Sequence, residues 1–162
     1  MGDFFALEVR GWKGTAGTAA AQSAAIRQFM EAAVAELAAL GQARVARLVH
    51  AGRVIAAGVL LTSGRGAWFW KIAHDESAAR ASPGVQLTLD LSEAILRDGE
   101  IAWCDSCATA GHAMIDSLWR ERRPIVDLLC SFEPGLNFAL ACRLEALRRG
   151  AIATARKIRA MM

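Results

Sequence analysis

Three groups of residues have types and spacings that can do chemistry. The turn Ala79-Arg80-Ala81-Ser82-Pro83-Gly84-Val85 is built of small residues and opens a helical pattern. Such a turn leaves backbone N–H groups pointing outward, where the helix dipole favours an anion. Gly84 lets a bulky phosphate approach the backbone, and Arg80 adds charge; the same Ser-Pro-Gly run also serves as an ordinary helix cap. The string Trp103-Cys104-Asp105-Ser106-Cys107 is a W-C-x-x-C pattern, which supports thiol–disulfide chemistry when its first cysteine is activated at a helix N-terminus directly after a strand. Here it comes late in the chain and Gly111 delays the next helix, which favours inert thiols. Cys130 and Cys142 supply no second C-x-x-C pair for zinc, and no metal is expected. Among the histidines, His112 lies just beyond a strand end at Asp105 and is the best base by type, since its ordinary pKa is near neutrality; a structural histidine is the plain alternative. Asp105 is a second candidate, or a cap for the segment that follows. His50 falls in a hairpin turn and His74 at a strand exit, neither with an obvious partner.

The elements that must position these groups are legible in the hydrophobic periodicity. Ile26, Phe29, Met30, Ala33, Val34, Leu37 and Leu40 follow helical spacing and predict one buried stripe, with Ser23 as the cap and Gly41 as the stop. Val45–Val49, Val54–Leu61 and Ala67–Ile72 are β-rich runs separated by glycine-containing turns, which predicts an antiparallel three-stranded meander. Val85–Ser92 alternates like a strand, yet Ser82, Pro83 and Gly99 frame a helix of suitable length, and helix is the better reading. Ile101–Asp105 is expected as a strand, Met114–Arg120 as a helix, Ile125–Phe132 as a strand, and a long helix runs from about Gly135 onward. In the run Trp68-Phe69-Trp70 a strand sends both tryptophans to one face and Phe69 to the other.

Length and composition bound the function. The 162 residues suffice for one compact domain, and 54% hydrophobic with 22% charged residues excludes a disordered chain. The longest uncharged stretches, Gly14–Ile26 and Val54–Gly64, fall short of the roughly 20 apolar residues of a membrane-spanning helix, so no membrane partner is expected. Asp3, Glu8, Arg10 and Lys13 interrupt any secretory signal pattern, and the cysteines suit a reducing, cytoplasmic setting. A net charge of +3 is too small to argue for nucleic acid. The cations Arg143, Arg148, Arg149, Arg156, Lys157 and Arg159 facing the single anion Glu145 form a solvated helix face or a seat for an anionic partner.

A meander followed by a phosphate-type turn, a helix and a strand resembles the core of the GNAT family of acyl-CoA-dependent N-acyltransferases. That family's turn reads Q/R-x-x-G-x-G/A; with Gly84 in the final position this chain has Ala79 first and Ser82 fourth, and so departs at two places. The segments Leu7–Gly14, Ser82–Leu87 and Asp105–Trp119 more narrowly resemble the acetyltransferase domain of bacterial proteins related to the Fem-type aminoacyltransferases, a group that also carries the name of the cellulose-biosynthesis protein CelD. The resemblance implies an α/β (α+β) fold with a GNAT-like mixed, largely antiparallel sheet flanked by helices. It implies one domain over 1–162, with an opening helical segment at 1–42, a core sheet with the coenzyme turn at 43–134 and a C-terminal helix at 135–162. Acetyl-CoA or another acyl-CoA is then the co-substrate, its diphosphate on Arg80, Ser82, Gly84 and Val85 and its pantetheine arm on the backbone of Trp70 and Ile72. His112 or Asp105 assists proton transfer, while Glu8, Trp12 and Lys13 face the acceptor, a small amine, an amino sugar or a polysaccharide precursor; read from the residues alone, Trp12 is a packing residue and Glu8 and Lys13 either hold each other on a surface or face a groove. GNAT enzymes often protonate the leaving thiolate with a tyrosine on the helix after the fifth core strand, and this chain contains no tyrosine. Members of the narrower group carry two GNAT-like halves and this chain resembles the second, so a missing half or a second copy is an implied partner. A catalytically silent half serving as an interaction domain, and a thiol–disulfide oxidoreductase, are the alternatives.

Overall fold

The computed structural model of the chain describes residues 1–126, 128–132 and 135–161 and divides them between two compact units, Met1–Arg120 and Glu121–Met162. The first unit opens with helices α1 (Gly2–Arg10) and α2 (Trp12–Thr15) and a 3-10 turn at Ala20–Gln22. Helix α3 (Ala24–Ala39) begins where the Ser23 hydroxyl accepts the Ile26 N–H and ends before Gly41, whose φ of +72° is the left-handed stop. Its buried stripe is narrower than the periodicity predicts: Met30 and Val34 are buried, whereas Ile26, Phe29 and Leu40 face solvent. A single sheet covers one side of α3 and needs only two turns' worth of apolar contact.

Strands β1 (Ala43–His50), β2 (Arg53–Ser63) and β3 (Gly66–His74) form the antiparallel meander, and β4 (Trp103–Asp105) joins β3 in parallel, giving the order β1-β2-β3-β4. This is a mixed, largely antiparallel sheet flanked by helices. A second 3-10 segment, Glu76–Ala81, leads into α4 (Pro83–Arg97), and α5 (Ala113–Leu118) follows β4. Alternation along β2 divides the core into two layers. Ala57 and Val59 pack with Phe4, Leu7, Met30 and Val34 on one face; Ala56 and Leu60 pack with Phe69, Leu87, Leu91 and Ile95 on the other.

One irregularity shapes β3. Leu60 pairs with Phe69 and Val59 with Lys71, so Trp70 is an inserted residue with no partner on β2. Such a bulge bends its strand and increases the local twist. The pairing of β3 with β4 is confined to Gly66–Trp68, just before it.

The second unit holds α6 (Leu136–Met161), in which Glu145 accepts hydrogen bonds from Arg148 and Arg149 and is held at a pKa of about 2 by them. The strand expected over Ile125–Phe132 is absent among the described residues there; Asp127 lies outside them. Pro124 removes a ladder donor and, among the described residues, this unit offers the run no second strand to pair with, so its β-type composition has nothing to act on. No helix among the described residues is long and apolar enough to cross a membrane.

Candidate active site

The end of β3 opens into a cavity of about 260 Å³ within the first unit. Ile72, Ala73 and His74 form one wall and Glu76, at the start of the second 3-10 segment, continues it. Leu7, Glu8, Gly11, Trp12 and Lys13 come from the junction of α1 and α2, Gly84 from the first turn of α4, and His112 and Met114 from the start of α5. Ligands in α/β folds commonly sit beyond the carboxyl ends of parallel strands, beside the helix that follows; this cavity has that position.

Each wall has a local cause. The α1–α2 junction turns at Gly11, and the N–H of Trp12 donates to Glu76 Oε1 at 2.6 Å across 64 residues of sequence. Glu8 is buried to 3% exposure, which a carboxylate tolerates only with partners. Its Oε2 accepts the Ala20 N–H at 2.8 Å and its Oε1 lies 3.4 Å from Lys13 Nζ. Lys13 Nζ is also 5.9 Å from the centre of the Trp12 ring, and Trp12 itself is 63% exposed at the rim. Gly84 lies close to the opposite wall: a Cβ there would sit 3.3 Å from His74 Nδ1, and that ring would have to give by a few tenths of an ångström. As residues at the start of α4, Gly84 and Val85 direct their N–H groups away from any intrahelical carbonyl.

His112 is the N-cap of α5, its Nδ1 accepting the Ile115 N–H at 3.4 Å. With Nδ1 engaged as an acceptor, the neutral ring carries its proton on Nε2. That geometry gives the ring an N–H to offer at the cavity wall, where His112 stands. His74 also stands in the cavity wall, its Nδ1 facing the first turn of α4 at Gly84. Of the residues singled out from sequence, Glu8, Trp12, Lys13, Ile72, Gly84 and His112 share the cavity wall. Trp70, Arg80, Ser82, Val85 and Asp105 do not line it. Ser82 holds the position before α4 in a left-handed conformation, φ +48°, without a side-chain cap, and Arg80 is exposed on the 3-10 segment. Asp105 is occupied elsewhere, its Oδ1 accepting the Cys107 N–H at 2.7 Å in a tight turn.

His74 and Glu76 were not selected from sequence. The available signal was a run of titratable residues, His74-Asp75-Glu76, at the carboxyl end of a strand and just ahead of the anion-type turn. The surroundings of the thiols in the W-C-x-x-C string disfavour the thiolate. Burial pushes Cys104 up to about 11, and burial with the Asp105 charge raises Cys107, the reverse of the activation such chemistry needs. Cys107 also precedes α5 by several residues. Among the described residues no group of three or more His, Cys, Asp or Glu side chains could hold a metal ion.

A comparison with protein families matches residues 1–122 to the acetyltransferase (GNAT) domain. The mixed sheet, the bulged third strand and the cavity at its end therefore belong to a GNAT acetyltransferase domain, and the chain is a member of that family. No curated protein and no solved structure gives a match.

Proposed function

We propose that the chain is an acyl-CoA-dependent N-acyltransferase that moves an acetyl or longer acyl group to a primary amine. The observation that carries this reading is the edge of β3. Beyond the bulge at Trp70 it has no neighbour in β4, and it runs into a cavity that also holds the first turn of α4. An unpaired strand edge offers amide donors and acceptors, and the pantetheine arm of coenzyme A carries two amides that match them. The N–H groups of Gly84 and Val85 then meet the diphosphate, with Ser82 and Arg80 beside them.

At the far end, His74 takes a proton from the attacking ammonium or amine and passes it to the departing thiolate, directly or through water, while the N–H on Nε2 of His112 donates a hydrogen bond to the oxyanion that forms on the acyl carbonyl. A donor on the helix after β4 stands where a tyrosine is absent. Glu8 and Glu76 supply negative charge and Trp12 an aromatic face, which together suit a cationic acceptor such as an amino sugar. The likeness to Fem-related proteins supports an acceptor on a saccharide precursor.

Isothermal titration with acetyl-CoA, followed by measurement of thiol release with a panel of amines, tests the reading. Gly84→Glu places bulk against His74 and negative charge at the diphosphate seat, and is expected to weaken coenzyme binding by about tenfold or more. Unchanged affinity in a folded variant would remove the proposed seat.

A further inference from the structure

We infer that the chain acylates itself at Lys13, an activity that rests on the acyltransferase reading and adds a substrate within the protein. Arginine supplies nearly all of this chain's cations; lysine occurs only at positions 13, 71 and 157. Lys13 lines the cavity. Lys13 is part-buried, its side chain 28% exposed, and its Nζ stands 3.4 Å from the buried carboxylate of Glu8 and 5.9 Å from the centre of the Trp12 ring. A carboxylate on one side and an aromatic face on another form the surroundings that would recognise an acceptor's ammonium group. The protein's own primary amine already occupies them. The same cavity wall carries Ile72–His74 and Gly84, where the acyl thioester is brought in.

The step balances without any further reagent. Glu8 Oε1 or His74 takes one proton from the Lys13 ammonium. The freed lone pair forms the C–N bond at the thioester carbonyl, and the C–S bond breaks to release coenzyme A as the thiol. The second amine proton passes to the departing thiolate, directly or through His74, and the first leaves the base for water. An amide is not hydrolysed under these conditions, so the modification is a stable end product. It removes the cation that partners Glu8 and leaves an acyl group filling the acceptor end of the cavity. Each acyl transfer to Lys13 therefore withdraws one molecule from turnover, and free acceptor amine protects by competing for the same space.

The purified chain incubated with acetyl-CoA alone, read by intact mass and by peptide mapping, tests this. The expected result is a gain of one acetyl group on Lys13, at a rate independent of protein concentration. It forms about 100-fold or more faster than any label on Lys71 or Lys157, as intramolecular positioning provides. Lys13→Arg keeps the charge beside Glu8 but not the nucleophile, and once its fold is verified by circular dichroism it gains no acetyl group at that rate. Label spread evenly over the three lysines, a rate that rises with protein concentration, or equal labelling of Lys13→Arg would overturn the inference. Calorimetry on the same preparation separates the two levels. Saturable acetyl-CoA binding with Lys13 unlabelled removes self-acylation alone, and absence of binding removes the acyltransferase reading with it.

Discussion

From Gly66 to Trp68, β3 is flanked by β2 on one side and β4 on the other; from the bulge at Trp70 to His74 it keeps β2 alone. The first half ends at Phe69, which is buried against Gly58, Leu60 and Leu87, and the Trp68 and Trp103 rings meet edge to face with centroids 4.9 Å apart. The second half lines a cavity. One inserted residue separates a stretch paired on both sides from one paired on a single side. The strand gains an edge free of β4 without being lost to the sheet, because β2 continues to hold the far side throughout.

The contrast between the two halves can be broken most directly at Phe69. Phe69→Ala empties a fully enclosed site and is expected to lower the unfolding free energy by about 3–5 kcal/mol in urea titration. Ile72→Ala, half-buried beyond the bulge, is expected to cost clearly less; equal losses would mean that both halves carry the same packing load. A smaller effect is expected at Gly66, where a Cβ would lie 2.4 Å from a carbon of the Trp103 ring. Gly66→Ala forces that ring aside and is expected to cost about 1–3 kcal/mol while leaving acetyl-CoA affinity intact. Weakened affinity would show that the closed half also shapes the site. The smallest effect is one of pH. Burial, against the opposing hydrogen bond from the Phe69 backbone and with the Cys107 and Asp105 charges adding to it, pushes the Cys104 thiol up to about 11 from the ordinary 9.0. The folded state therefore binds the proton more tightly, and this contribution to stability is intact below pH 9 and lost as pH rises from 9 toward 11. Alkylation of Cys104 should be slow near pH 8 in the folded chain; a rate equal to that of the denatured chain would show that the β3–β4 junction is open.

Much of the frame is written locally in the residues. Ser23 and Gly41 bracket α3, the β-rich runs give the meander, and Ser82-Pro83-Gly84 starts α4 despite the strand-like alternation that follows. What local pattern could not give is who meets whom. His74 and Glu76 become site residues only because α1 and α2 fold back onto the strand end, a tertiary event marked by the Trp12–Glu76 hydrogen bond. Asp105 is a strand-end carboxylate by position, but its Oδ1 accepts the Cys107 N–H in a turn away from the cavity lining, an Asx geometry that residue type does not reveal. Ile125–Phe132 has the composition of a strand, and composition cannot supply a neighbour. The W-C-x-x-C string shows the same lesson for reactivity, since the surroundings of Cys104 decide its acidity.

The cavity gathers residues from 7 to 114 of the chain, with the first helix closing over a strand made some 60 residues later. Contacts so distant in sequence need the intervening chain to be present before they can form. On a ribosome, the opening helices must wait for the sheet, and the last wall arrives only when the start of α5 has emerged. Coenzyme can stabilise only the finished assembly, so ligand present during synthesis would act on the final folding step and none before it.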